Sequence, residues 1–257
     1  MYNILKLNKI AAVGTDRLGE NYNCVDECPN PDGILVRSAA MHDMELPESL
    51  LAIARAGAGV NNIPLDKCTE RGICVFNTPG ANANAVMELV VAGLLLGSRK
   101  IAQGIQWNLT LKDDENCLKT VEKGKSQFVG PEIKGKTIGV VAMPHLGAST
   151  PESEDNCAIM AADEVKQYLE LGNVKNSVNF PNVSMPKSGD VRFCVFHQNT
   201  PKIISKLLEV IGGNVENMEN KSRGDYAYTI IDATAPNADA EEAVKDIKGI
   251  VRYRVIR

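Results

Sequence analysis

Long apolar runs are missing from this chain. The most apolar stretch, Leu89 to Leu96, falls far short of the ~20 residues that a membrane-spanning helix needs. A basic run is also missing, and with a formal net charge of −4 neither nucleic acid nor an anionic membrane is expected as a main partner. No N-terminal segment has the basic-then-apolar form of a signal peptide. Histidine is scarce (His42, His145 and His197), and the seven cysteines are odd in number with no Cys-x-x-Cys among them. Cys24 and Cys28 form the one close pair, so no metal is expected, and free thiols in a cytoplasmic protein are the better reading. A complete G-x-G-x-x-G is lacking too. Gly57-Ala-Gly59-Val-Asn-Asn62 has only two of its glycines, and no acidic residue follows at the required ~20-residue spacing after a second strand.

What is present describes an ordinary globular protein: 257 residues, 44% hydrophobic and 23% charged, with room for one or two domains. Tyr2 to Asn8, Gly33 to Arg37, Leu50 to Arg55 and Ile73 to Phe76 are expected as strands, with a short helix over Pro64 to Arg71. Strands alternating with helical stretches suggest a small parallel α/β domain. Three polar groups follow the C-terminal ends of those strands, where open α/β sheets bind ligands: Arg37-Ser38, Gly57-Ala58-Gly59, and the stretch from Asn77 to Asn82. The glycine turn leaves bare backbone N–H groups that a carboxylate or phosphate can approach; a turn that simply needs glycine is the alternative. Arg37 offers a planar fork suited to the same anions, or else a surface salt bridge.

Ala85 to Ile105 is expected as one helix, apolar almost all round, and such a helix is either core or a subunit contact. The charged segment from Trp107 to Phe128 reads as an exposed arm. A second long helix starts after His145, with Ser149 and Thr150 as rival N-caps and Pro151 in its first turn, continues over Asp155 to Leu171 and ends at Gly172-Asn173. Val183 to Gly189, with Pro186, Ser188 and Gly189, is a linker by composition. From Val191 onward the predicted order is βαββαβ, a ferredoxin-like unit. There Thr200 as N-cap and Pro201 at the first helical position would present free N–H groups to an amino-acid carboxylate, with His197 and Asn199 just before them. The plainer alternative is that His197 and Asn199 only satisfy a strand end.

Two segments carry a family resemblance. Lys136-Thr-Ile-Gly-Val is similar to the strand that opens the NAD domain of the D-2-hydroxyacid dehydrogenases. Pro144-His-Leu-Gly-Ala-Ser-Thr-Pro-Glu-Ser resembles the segment that closes that domain and carries the catalytic histidine. In the family a whole Rossmann domain lies between these segments; here they abut. The resemblance implies a flavodoxin-like substrate domain (first part, residues 1–84) and a hydrophobic helix, oligomerisation arm and remnant NAD-domain strand (85–141). It further implies a histidine loop and returning helix (142–182), a linker (183–189) and an ACT regulatory domain (190–257), with the Rossmann core missing. His145 takes the place of the proton-shuttling histidine, a role that suits a side chain with a pKa of ~6.5.

Arg37, Ser38, Gly57, Ala58, Gly59 and Asn82 match substrate-binding positions, so the implied ligand is a 3-phosphoglycerate-like anion. His197, Asn199 and Asn214 match the effector site for L-serine or a similar small amino acid, which a second subunit completes. The family's cofactor is NAD, but its glycine loop, catalytic arginine and orienting acid belong to the missing segment. The expectation is therefore a homo-oligomer that by itself binds no NAD and transfers no hydride. The alternative is an amino-acid-sensing regulatory module joined to a substrate-type domain.

Overall fold

Five parallel strands open the computed structural model, which describes residues 1–137 and 146–257. They are β1 (Tyr2–Leu7), β2 (Tyr22–Val25), β3 (Gly33–Val36), β4 (Ala52–Arg55) and β5 (Cys74–Asn77), with short helices α1 (Ala12–Thr15) and α2 (Leu65–Glu70) between them. Their spatial order is 2-1-3-4-5, that of flavodoxin-like sheets, and every pairing is parallel. Ile34, Leu35 and Val36 on β3, and Ala52, Ile53 and Ala54 on β4, are completely buried, as strands covered on both faces must be. Strand β2 and helix α1 carry too few apolar residues to signal themselves in the sequence.

Helix α6 (Pro151–Leu171) returns to this sheet and covers one face through Cys157, Ala161, Ala162, Val165 and Leu169. Its acidic first turn, with Glu152 and Glu154, suits the positive end of the helix. It stops at Gly172, which has φ +69°; a Cβ there would sit 2.2 Å from the Cys194 sulfur, so the exit requires glycine.

The C-terminal residues form β6 (Val191–Gln198), α7 (Ile203–Ile211), β7 (Asn214–Arg223), β8 (Tyr226–Thr234), α8 (Ala240–Lys245) and β9 (Ile250–Ile256). This is the expected βαββαβ order, and the antiparallel sheet runs β7-β8-β6-β9. Period-2 alternation divides its faces. Val191, Phe193 and Val195 face α7 and α8 with Leu207, Ile211 and Val244, while Cys194, Phe196, Tyr228 and Ile230 join the core around α6. Phe180, Phe196 and Tyr228 stack with centroids 4.0 and 4.2 Å apart, and the Tyr228 hydroxyl donates to the Gly172 carbonyl at 2.6 Å.

The segment expected as a free linker is instead strapped down. Val183 and Val174 exchange backbone hydrogen bonds, and the Met185 amide donates to Asn173 Oδ1. Arg192, fully buried, grips Asp232 through Nε at 2.6 Å and Nη2 at 2.7 Å, and donates to the carbonyls of Leu171, Met185 and Pro186. Asp232 in turn accepts from the Ser188 amide and hydroxyl. Proline, serine and glycine suggested freedom, but backbone groups anchored by a buried guanidinium have none.

The chain divides into two compact units, Met1–Asn82 with Pro151–Arg257, and Ala83–Thr150. The second unit contains α3 (Ala83–Ser98), α4 (Ile101–Thr110), α5 (Cys117–Gly124) and a 3-10 turn over Lys125–Phe128. The single helix expected to run to Ile105 is thus broken at Arg99-Lys100. None of the residues of α3 is buried, and Met87, Val91, Leu95 and Leu96 are each more than two-fifths exposed. His145 and most of the strand expected up to Val141 lie outside the described residues.

Candidate functional site

The C-terminal ends of β3 and β4 bring two arginines together. Arg37 follows β3, and its Nη2 lies 2.8 Å from Glu154 Oε1 in the first turn of α6. Arg55 closes β4, and its Nε donates to the Arg37 carbonyl at 2.9 Å. Burial lowers the Arg55 pKa, and the like charge of Arg37 pushes it the same way. Arg55 escaped the sequence reading, although it satisfies the rule that singled out Arg37, a cation at a strand's C-terminal end, and also stands two residues before a glycine turn.

That turn wraps the Arg55 guanidinium. A Cβ on Gly57 would fall 2.7 Å from Nη1, so a side chain there would push the fork aside. The Gly57 carbonyl accepts from the Thr78 amide at 3.1 Å, and the Ala58 carbonyl accepts from Asn77 Nδ2 at 2.5 Å, tying the turn to the end of β5. Gly59 follows with its Cα open toward the same guanidinium, where an added Cβ would make ordinary contact at 3.5 Å. The Ser38 amide donates to Asn8 Oδ1 at 3.0 Å, which leaves its hydroxyl without a partner among the described residues. Asn82 is half-buried, in the turn that follows Gly80. Arg37, Ser38, Gly57, Ala58 and Gly59 thus all lie at one end of the parallel sheet. This end also holds two buried polar atoms, Asn62 Oδ1 and Thr78 Oγ1, with no hydrogen-bond partner among the described residues.

The Gly57 turn itself departs from a dinucleotide-binding turn. A pyrophosphate needs a glycine turn that passes directly into a helix N-terminus. Here the space beside Gly57 is filled by Arg55, and the next helix, α2, starts at Leu65 and is six residues long. Among the described residues, no group of three or more His, Cys, Asp or Glu side chains could hold a metal ion. All seven cysteines are free, and no described helix is long and apolar enough to cross a membrane.

At the C-terminal unit, His197 is 1% exposed and both its ring nitrogens are engaged. Nδ1 lies 2.8 Å from the Gln198 carbonyl and Nε2 lies 2.8 Å from Thr229 Oγ1, which in turn donates to Asn220 Oδ1. Burial lowers the His197 pKa and favours the neutral ring. Asn199 is exposed and donates to the Gly224 carbonyl at 3.3 Å. Asn214 donates to Glu216 at the other end of β7. His197 is level with Ala227 on β8 and Asn214 with Thr234, seven residues along, or about 23 Å at ~3.3 Å per residue. Within one chain Asn214 and His197 therefore do not meet.

The expected capping by Thr200 is corrected by the structure. Helix α7 begins at Ile203, and Lys202 sits before it at φ +68°, ψ +4° with no side-chain cap. Proline followed by a positive φ is the signature of a type II turn, so Thr200–Ile203 turns before the helix starts.

Comparison with known proteins agrees with this architecture. Residues 7–179 match the family described as D-isomer specific 2-hydroxyacid dehydrogenase, catalytic domain. A D-3-phosphoglycerate dehydrogenase from Mycobacterium leprae is 38% identical over 122 residues, covering 46% of this chain and 21% of that protein. The Escherichia coli K12 D-3-phosphoglycerate dehydrogenase is 31% identical over 123 residues, covering 46% of this chain and 30% of that protein. This chain therefore spans less than a third of the length of either relative. Among solved structures, an NADPH-dependent glyoxylate/hydroxypyruvate reductase from Sinorhizobium meliloti, in complex with citrate, superposes with a TM-score of 0.52 at 14% identity. That match covers 69% of this chain and 98% of the other, a likeness of fold. By the match over residues 7–179, the chain belongs to the D-isomer specific 2-hydroxyacid dehydrogenase family.

Proposed function

We propose that this chain is a phosphoglycerate dehydrogenase-like member of its family that holds a 3-phosphoglycerate-like anion and, lacking a nucleotide-binding core, transfers no hydride by itself. The observation that carries the reading is two arginines at the C-terminal edge of the parallel sheet: Arg55, packed in the Gly57–Gly59 turn and bonded to the Arg37 carbonyl, and Arg37, whose fork meets Glu154. Two fixed forks there suit a ligand with a carboxylate at one end and a phosphate at the other. His145 holds the sequence position of the family's proton shuttle. Calorimetric titration with 3-phosphoglycerate tests the anion site: Arg37→Gln should weaken binding about tenfold or more, the worth of a lost charge-assisted hydrogen bond. Unchanged affinity would end the proposal.

The second reading, amino-acid sensing by an ACT-like unit, is favoured by strand β7. It is the outer strand of its sheet, ten residues long, proline-free and almost entirely exposed. Such an edge invites pairing with a second copy. Antiparallel pairing of two β7 strands about Met218 and Glu219 would set Asn214 of one copy opposite Arg223 of the other, close to Asn199 and His197. L-serine should then raise the melting temperature, and the rise should vanish in an Asn199→Ala, Asn214→Ala double variant; a rise that persists there would refute the site. The exposed apolar face of α3 supports the same homo-oligomer.

A further inference from the structure

Away from both of these sites, a groove of about 580 Å³ runs between the outer strand β9 and the turn after α2, lined by Glu48, Arg71, Lys245, Ile250, Val251, Arg252 and Tyr253. Its size is within the range of small-molecule sites. Three of its side chains are cations and one is a carboxylate, a local reversal of sign in a chain whose net charge is −4. Neither Arg71 nor Lys245 has an ion-pair partner among the described residues. The Arg252 fork is held by the backbone carbonyls of Leu50, at 2.5 Å, and Glu48, which fix its position without cancelling its charge.

The approach is also forced by packing. A Cβ on Gly72 would lie 2.5 Å from Arg252 Cβ, so glycine is what lets the α2 turn come this close to β9. Desolvation lowers the Arg252 pKa, and the like charges of Arg254 and Arg71 add to that pressure. Along the groove, β9 is the outer strand of its sheet, with β6 as its one partner strand among the described residues.

We propose that this groove is a binding site for a small, multiply charged anion of the phosphoryl type, held by Arg71 and Lys245 over the fixed charge of Arg252. Because Arg71 follows α2 of the parallel-sheet part and Lys245 and Arg252 lie on α8 and β9 of the same compact unit, the anion ties these elements together. Its binding is stabilising and is read as such.

Pyrophosphate is the probe, with sodium chloride at equal ionic strength as control, on the full chain and on three variants: Arg71→Gln, Lys245→Gln, and both together. Arg71 and Lys245 are exposed, so these variants keep the fold; Arg252 is left alone because it holds two carbonyls. Pyrophosphate at ten times its dissociation constant should raise the melting temperature of the unaltered chain by about 3 °C or more. Calorimetry should show the double variant binding at least tenfold more weakly, with each single variant between. The comparison is repeated in an Arg37→Gln background, which removes the strand-end anion site, and the double variant should show the same loss there. A rise that sodium chloride reproduces, or one that survives in the double variant, would overturn the proposal.

Discussion

Replacing Arg192 with leucine should cost about 3–5 kcal/mol, the penalty for leaving a buried ion-pair partner uncompensated. Arg192 and Asp232 both have fully buried side chains, joined through two guanidinium nitrogens at 2.6 and 2.7 Å. Removing the arginine leaves Asp232 with only the Ser188 donors and strips the carbonyls of Leu171, Met185 and Pro186 of theirs. Those carbonyls lie in the strap between α6 and the C-terminal sheet, so the loss reaches beyond the pair. The assay is urea unfolding followed by circular dichroism, with midpoint and slope both recorded. Leucine at both positions should recover part of the loss, since no unpaired charge then stays buried. A single-variant cost below about 1 kcal/mol would show that water reaches Asp232 and would refute the reasoning.

Other perturbations probe the same packing. Burial raises the Glu164 carboxyl from its ordinary 4.5 to about 8, against the opposing pull of its hydrogen bond from Asn176. The folded state thus binds the proton more tightly than the unfolded chain, so the contribution of Glu164 is complete below about 4.5 and is lost as the pH rises through about 8. Glu164→Gln should flatten stability against pH across that window; a wild-type curve level from pH 5 to 8 would contradict it. Glu154 occupies the fork of Arg37, so Glu154→Gln should tighten 3-phosphoglycerate binding about two- to fivefold, the worth of a partly exposed ion pair. Equal or weaker binding in calorimetry would show that Glu154 does not compete for the fork.

Much of this arrangement was legible in the sequence where a local rule governs it. Buried parallel strands announced themselves as short β-branched runs, and the βαββαβ order followed from period-2 strands punctuated by glycine. The placing of Arg37 and the glycine turn at strand C-terminal ends was legible too, because each directly follows an apolar strand. Long-range partners were not legible. Nothing in the spacing of Arg192 and Asp232 announces an ion pair across forty residues, and this pair is what turns a linker-like composition into a strap. Arg55 went unnoticed because its role depends on the neighbouring strand, whose Arg37 carbonyl holds it. The start of α7 was misjudged because Thr-Pro serves a helix N-terminus and a type II turn equally well. The left-handed backbone at Lys202, which tertiary packing must pay for, decides the matter.

The proposal at the centre of this account is that the chain holds a 3-phosphoglycerate-like anion and by itself binds no NAD. Calorimetric titration of the purified chain with NADH tests it most directly. The account predicts no heat beyond dilution up to millimolar NADH, under conditions where 3-phosphoglycerate still binds; saturable binding in the micromolar range would contradict it.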